Sequence, residues 1–166
     1  REAFSAADPL ICYSVKANGN LTLLRRLKEW GAGFDVVSGG ELYRTMRIEA
    51  DPKRVFFAGV GKTDEEIRYA LRKQIFLFHV ESAPEFHRIG ALAKEMGKRV
   101  QVAVRVNPDV DSQTHHYVAT GGRETKFGVD FEAARALVGE AGSLSAIEIC
   151  GLHVHIGSQI TTVEPY

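Results

Sequence analysis

Lys16, Asp35, Arg105 and His155 each lie at or near the end of an apolar, strand-like stretch of this sequence. A lysine amine that loses its charge is a nucleophile, and it can form an imine with a carbonyl group. A guanidinium keeps its charge, so Arg105 late in an apolar strand needs an anion or a hydrogen-bonding partner. Whether these residues do chemistry together depends on the elements that position them.

Two of these residues also have purely structural explanations. The amine of Lys16 could mark the point where a strand reaches water, which is where most such lysines lie. The guanidinium of Arg105 could form an ion pair with Asp35 or with another acidic residue. The residue patterns alone leave these alternatives open.

The stretch GLHVHIGSQ brings two histidines close to a Gly-Ser pair. His153 and His155 are two residues apart, so in a strand their side chains share a face. Either histidine, taken alone, could be a satisfied core residue. Gly157 permits close backbone approach and Ser158 offers donors, which suits an oxyanion or a phosphate, although Gly-Ser is also common in loops.

Strand-like and helix-like segments alternate along the chain with short connections, the pattern of a parallel sheet with helices outside it. Apolar residues recur at helical spacing from Leu21 to Trp30. Thr63 and Glu66 form a box-like pattern that predicts mutual capping at a helix start. The predicted strands are 10–15, 33–38, 54–59, 75–80, 101–107 and 148–157, and the predicted helices are 20–30, 39–49, 63–73, 82–97 and 131–142.

Six consecutive β/α units predict an α/β fold, an incomplete (β/α)8 TIM barrel, in preference to an open doubly wound sheet. Residues 1–166 are predicted to be one partial barrel domain of a longer chain. In such a barrel the reactive groups lie at the carboxyl ends of the strands. The residues identified above occupy those positions.

The bulk composition bears on partners and location. Lys plus Arg and Asp plus Glu both number 21, so no whole-chain field attracts nucleic acid or an anionic membrane. The apolar runs are too short to span a bilayer, and the first residues lack a signal peptide's apolar core, which predicts a cytoplasmic protein. Cys12 and Cys150 lack metal-site spacing, so no metal is predicted, and both are expected to be reduced and buried.

The segment from Pro108 to Val129 is long for a barrel connection, and such loops are usually functional or disordered. It ends with Lys126, Phe127 and Gly128. An apolar ring beside a glycine in so polar a loop suggests docking, either on a partner subunit or on the rim of an active site.

Several motifs, in this order, closely resemble the pyridoxal-phosphate decarboxylases with an alanine-racemase-like barrel, and within them the diaminopimelate branch. The resemblance covers nearly the whole chain. YSVKAN is similar to the cofactor-lysine motif of that superfamily, and T-H-x-Y-x-x-T-G and KFG are similar to elements of the diaminopimelate branch. The motifs are YSVKAN, GFDVVSGGEL, VFFAGVGKTDEEI, FHVES, VRVNPDV, HHYVATGGRETKFGV and GLHVHIGSQ.

The resemblance implies pyridoxal 5'-phosphate as the cofactor. Lys16 would form the internal Schiff base with its aldehyde, and His155 would stack against the pyridine ring. Ser158, with Gly157 beside it, would help to hold the phosphate.

The resemblance also places acidic and cationic residues around the cofactor. Asp35 and Glu41 would lie near the lysine end of the pocket, and Arg105 would lie under or beside the cofactor. Lys126 would lie near a dimer interface. The resemblance leaves His153 as a pocket or core residue and gives His79 no role. Lys16, His155 and Asp35 are thus the implied catalytic residues.

The function that the resemblance implies is decarboxylation of meso-2,6-diaminopimelate to L-lysine and CO2, the last step of lysine biosynthesis, by a homodimer acting on a small amino acid. The alternatives are an ornithine- or arginine-type decarboxylase and a non-catalytic pyridoxal-phosphate barrel. Relatives carry a second, β-type domain, a glycine-rich phosphate loop and an acid that pairs with the pyridine nitrogen. None of these follows Tyr166, so the 166-residue chain alone is expected to be almost inactive.

Overall fold

A computed structural model describes residues 6–108, 127–158 and 160–164. The chain forms two compact units, Arg1–Leu77 and Phe78–Tyr166. The strands are β1 (Cys12–Ser14), β2 (Gly33–Val36), β3 (Val55–Phe57), β4 (Leu77–Val80), β5 (Val100–Arg105) and β6 (Ile147–His153), and the helices are α1 (Leu21–Glu29), α2 (Gly39–Arg47), α3 (Asp64–Lys73), α4 (Ala83–Glu95) and α5 (Phe131–Ala141).

The first unit is built on the parallel strands β1, β2 and β3, which pair in chain order. Phe34 and Val36 of β2 point to one face, where they are at most 1% exposed and where helix α2 contacts the strand. Because side chains alternate along a strand, Asp35 lies on the opposite face. Its register partner there is Ser14 of β1.

Gly33 at the start of β2 lies where no side chain fits. A Cβ atom at this position would lie 2.7 Å from the carbonyl oxygen of Arg54 and 2.7 Å from the Sγ of Cys12. The Arg54 carbonyl group cannot move away without displacing strand β3, which follows it directly. Glycine therefore permits the close packing of this end of the sheet.

The second unit is built on the parallel strands β4, β5 and β6, which also pair in chain order. Val102 and Val104 of β5 are fully buried. The intervening Ala103 faces the other side, in register with His79 of β4 and Gly151 of β6. Small residues in the middle of this face leave room for larger side chains on either side.

Three helices begin with the same device, a hydroxyl residue followed three positions later by a glutamate. Ser38 accepts a hydrogen bond from the Glu41 N–H, and the Glu41 carboxylate accepts one from the Val37 N–H at 2.9 Å. Ser82 and Glu85 repeat the arrangement at α4. These bonds satisfy amides that the first helical turn leaves free, and they tie the end of a strand to the following helix.

The capping box predicted for α3 is confirmed. Thr63 accepts from the Glu66 N–H, and the Glu66 carboxylate accepts from the Thr63 N–H at 3.0 Å. The same carboxylate also accepts from the Gly39 N–H at 2.7 Å, so it links the start of α3 to the start of α2. Partial burial alone would raise the pKa of Glu66, but these bonds and the nearby Lys62 charge together lower it below its ordinary value of 4.5.

The alternation of six strands with helices follows the sequence prediction. The sixth strand is shorter than predicted, since β6 ends at His153 and leaves His155 beyond the strand. Cys150, which was expected to be buried, is exposed, because alternate residues of β6 face away from the buried side of the strand. No helix in the described ranges is long and apolar enough to cross a membrane.

Gly33→Ala is expected to lower the free energy of unfolding by about 1–3 kcal/mol, because the added methyl group overpacks against backbone. The matched control is Gly40→Ala in α2, where a Cβ atom meets nothing nearer than 3.9 Å. Gly40→Ala is expected to raise the free energy of unfolding by about 0.5–1 kcal/mol, since alanine favours the helix. Urea unfolding of the two variants measures both values. Equal effects of the same sign would contradict the packing assigned to Gly33.

Glu66→Gln is expected to make stability less dependent on pH in acid. A carboxylate with a lowered folded-state pKa stabilises the fold fully above its ordinary pKa, 4.5 for Glu66, and this contribution is lost as pH falls through the lower value. The Tm of the variant should therefore lie below that of the parent at neutral pH, and the two should converge in acid. Glu65→Gln, an exposed change in the same turn, is the control and should show no such convergence.

Candidate functional site

Lys16 lies in a short 3-10 helix, Val15–Ala17, that directly follows β1. Val15 is buried, which anchors the turn, while Lys16 is exposed. Within the described residues its amine forms no hydrogen bond or ion pair, so it remains available to a ligand. The turn continues into α1 through Asn20, whose side chain accepts from two amides of the first helical turn.

Asp35 lies next to the last residue of β2 and is held by a neighbouring strand. Its Oδ2 accepts a hydrogen bond from the Ser14 hydroxyl at 3.0 Å. The pKa of the Cys12 thiol is raised from 9.0 to about 11. Burial is the larger cause and the negative charge of Asp35 is the smaller one, while the positive charge of Arg54 opposes both. Ser14, Asp35 and Cys12 therefore share one face of the first unit's sheet, which ends at the turn that carries Lys16.

Arg105 ends β5 and is almost fully buried, with 7% of its surface exposed. Its Nη1 donates to the Oε2 of Glu81 at 2.8 Å, and the side chain of Glu81 is only 2% exposed. The ion pair with an acidic residue, which the sequence left open as a structural explanation of Arg105, is therefore present. Glu81 as the partner was not identified from the sequence, although it follows β4 in the motif FHVES.

The end of the long loop packs on the end of β5. The Val129 N–H donates to the Arg105 carbonyl at 2.9 Å, and the Asn107 N–H donates to the Val129 carbonyl at 2.9 Å. The Phe127 ring lies 5.6 Å from the Cζ of Arg105, a cation–π contact. Phe127 thus docks within the second unit. Lys126, which was expected near a dimer interface, lies outside the described residues, as does the rest of the loop from 109.

His153 stacks on His79, with ring centroids 4.1 Å apart and planes at 21°. The two rings belong to β6 and β4, which flank β5, where Ala103 is the register partner of His79 and Arg105 is that of His153. His153 is therefore a residue of the polar face of this sheet. His79 was assigned no role from sequence, because a contact across an intervening strand leaves no local pattern.

The remaining predicted residues follow β6. His155 lies two positions beyond the strand and is partly buried, Gly157 is partly buried, and Ser158 is exposed. Their position after the carboxyl end of β6 agrees with the expected location of reactive groups. Each unit thus presents its predicted residues at the carboxyl ends of its strands: Lys16 and Asp35 in the first, and Arg105, His155, Gly157 and Ser158 in the second.

The chain matches known proteins along its whole length. The sequence profile of the family described as "Pyridoxal-dependent decarboxylase, pyridoxal binding domain" matches residues 1–166. A diaminopimelate decarboxylase of Aquifex aeolicus is 48% identical over 166 residues, which are 100% of this chain and 39% of that protein. One of Pseudomonas aeruginosa is 46% identical over 99% of this chain and 40% of its own length. The chain thus spans about two fifths of these relatives.

The structural comparisons agree. A crystal structure of diaminopimelate decarboxylase from Helicobacter pylori complexed with L-lysine has a TM-score of 0.95 and 40% identity, covering 99% of this chain and 42% of that one. An arginine decarboxylase of a Chlorella virus has a TM-score of 0.81 at 24% identity, with 99% and 42% covered, and shows the fold alone. The predicted fold class, an incomplete barrel of β/α units, is confirmed.

Asp35→Asn is expected to lower the pKa of the Cys12 thiol from about 11, because a negative charge that opposes thiolate formation is removed. The measurement is the rate of iodoacetamide alkylation against pH in a Cys150→Ser background, which leaves a single thiol. Asp64→Asn in the first turn of α3 is the control and should leave the profile in place. An unchanged profile for Asp35→Asn would show that this carboxylate does not face Cys12.

Proposed function

Because the chain belongs to the pyridoxal-dependent decarboxylases and spans their pyridoxal-binding domain, we propose that it binds pyridoxal 5'-phosphate and serves the decarboxylation of meso-2,6-diaminopimelate to L-lysine and CO2. The observation that carries the proposal is the amine of Lys16. It is exposed and uncommitted among the described residues, in a rigid turn at the carboxyl end of β1.

The substrate assignment is supported by the named relatives. Diaminopimelate decarboxylases from several bacteria are 43–48% identical to this chain, whereas the arginine decarboxylase structure shares 24%. Identity of this order across the cofactor-binding region favours the diaminopimelate branch over the arginine branch.

The residues present suit the cofactor chemically. Bound pyridoxal phosphate supplies an electron sink that accepts the electron pair left when an amino acid loses its carboxylate. Lys16 would hold the cofactor covalently through the nitrogen of its exposed side chain. His155 would offer a flat face to the ring, and Gly157 and Ser158 would offer donors to the phosphate. Lys16 and His155 are therefore proposed as catalytic residues.

The charged residues would supply electrostatics and orientation. Asp35 is proposed as the third catalytic residue, because its carboxylate, fixed by the Ser14 hydroxyl, lies on the face of β2 that leads to the turn of Lys16. Arg105 offers a permanent cation in a buried setting, where charge interactions are stronger than in water. Beside the cofactor, the Arg105 cation would stabilise anionic groups of the cofactor or of the substrate.

We further propose that residues 1–166 act as one pyridoxal-binding domain, and that the protein works in the cytoplasm as a homodimer. The family match over all 166 residues supports the first statement. The KFG segment, which resembles that of the diaminopimelate branch, supports the homodimer. Sedimentation of the gene product at its full encoded length tests the oligomeric state.

Lys16→Ala, in the full-length gene product, is expected to abolish the visible absorbance of bound cofactor and to lower kcat at least about a thousandfold, since the attachment point and nucleophile are lost. The control is Lys53→Ala, an exposed lysine in another 3-10 helix, Pro52–Arg54, which lies before β3 instead of after a strand. It should keep both properties.

The readout is CO2 release from meso-diaminopimelate, with ornithine, arginine and lysine assayed beside it. A Lys16→Ala variant that keeps its activity would refute the role of the amine. Faster release from one of the other amino acids would refute the substrate and leave the cofactor assignment intact.

A further inference from the structure

We propose that Glu81 and Phe127 are positioning residues that fix the guanidinium of Arg105 for its part in the cofactor site, an inference that rests on the proposed function. Neither residue is expected to touch the reacting atoms. Both contact Arg105 within the second unit, Glu81 through an ion pair and Phe127 through its ring.

The first argument is the burial of the ion pair. Arg105 is 7% exposed and Glu81 is 4% exposed. Removing two charges from water is costly, and apolar residues of similar volume often stabilise a fold as well or better. A buried pair therefore contributes little to stability, but its 2.8 Å contact fixes the direction of the guanidinium. That direction matters for a cation that orients a bound anion.

The second argument is that Glu81 is itself held in place. Its backbone N–H donates to the Glu85 carboxylate at 2.7 Å, and the Glu85 N–H donates to the Ser82 hydroxyl. The capping bonds of α4 thus fix the end of β4, from which the Glu81 carboxylate reaches Arg105. The guanidinium is positioned by a strand end and a helix start together, both of them rigid elements.

The third argument is the fit of the segment Phe127–Val129 over Arg105. Gly128 has a φ of +85°, and a Cβ there would lie 2.8 Å from the Oδ1 of Asn107 and 3.1 Å from the Cγ of Arg105. Glycine alone allows this approach. The Val129 N–H and carbonyl then form hydrogen bonds with the backbone of Arg105 and Asn107, the residues on either side of Val106. Phe127 is therefore held against the guanidinium by the backbone on its carboxyl side.

The Nε donor of Arg105 faces the interior of the second unit. This nitrogen is buried and has no hydrogen-bond partner in residues 6–108, 127–158 and 160–164. Buried polar groups are normally paired, so we expect bound cofactor or substrate to supply a partner for this donor. Glu81 bonds to Nη1, and Phe127 lies by the guanidinium carbon.

The test is a double-mutant cycle on cofactor binding in the full-length gene product. Pyridoxal phosphate is titrated into the apoprotein of the parent, Glu81→Gln, Arg105→Met and the double variant. Glu81→Gln should raise the Kd about tenfold, the loss typical of residues that orient a binding group. In the Arg105→Met background it should change the Kd by less than about twofold, because Glu81 acts only through Arg105.

Thermal unfolding of the apoproteins separates this role from a structural one. Glu81→Gln should lower Tm by more in the parent than in the Arg105→Met background, where the cation that the carboxylate faces has been removed. Glu148→Gln is the matched control, since it removes a half-exposed carboxylate that lies 3.6 Å from Arg99 in the same unit. It should leave the Kd within about twofold of the parent, as expected for an exposed pair.

If Glu81→Gln does not fold, Phe127→Leu replaces it in the same titration. Its control is Phe131→Leu, because Phe131 is an exposed ring at the start of α5. An unchanged Kd, or an equal loss in both Arg105 backgrounds, would overturn the positioning role. A parent protein that binds no pyridoxal phosphate would overturn the proposed function, and this inference with it. The parent titration alone therefore distinguishes the two failures.

Discussion

Parallel strand pairing is the constraint on which the arrangement of each unit depends. Because neighbouring strands run in one direction, their carboxyl ends meet at one edge, and residues in register share a face. In the first unit this places Ser14 beside Asp35 at 3.0 Å. In the second it places Arg105 in register with His153, on the polar side of a strand whose other side is fully buried.

The junctions from strand to helix make that edge rigid. A hydroxyl residue and a glutamate begin α2, α3 and α4, and in two of these junctions the glutamate also binds the amide of the residue that precedes the cap. The bonds that satisfy the helix start therefore also fix the residue that directly follows the strand. A site built on such ends needs little reorganisation when a ligand binds, and preorganisation is what a cofactor enzyme requires of its protein.

Charge is distributed unevenly over these edges. Lys16 is left exposed and uncommitted in the described part of the chain, whereas Arg105 is buried and held by Glu81. The two cations thus suit different tasks. An accessible amine suits the covalent bond proposed for Lys16, while a buried guanidinium remains a permanent charge that can orient an anion.

The sequence by itself determined the order of the elements, the capping box of Thr63 and Glu66, and the placement of Lys16, Asp35 and Arg105 at strand ends, because these depend on local periodicity and short spacing. Only the tertiary structure decided that Arg105 pairs with Glu81, that His153 stacks on His79, and that Cys150 is exposed. These contacts join residues far apart in the chain through strand register, and no local pattern encodes which residues register brings together.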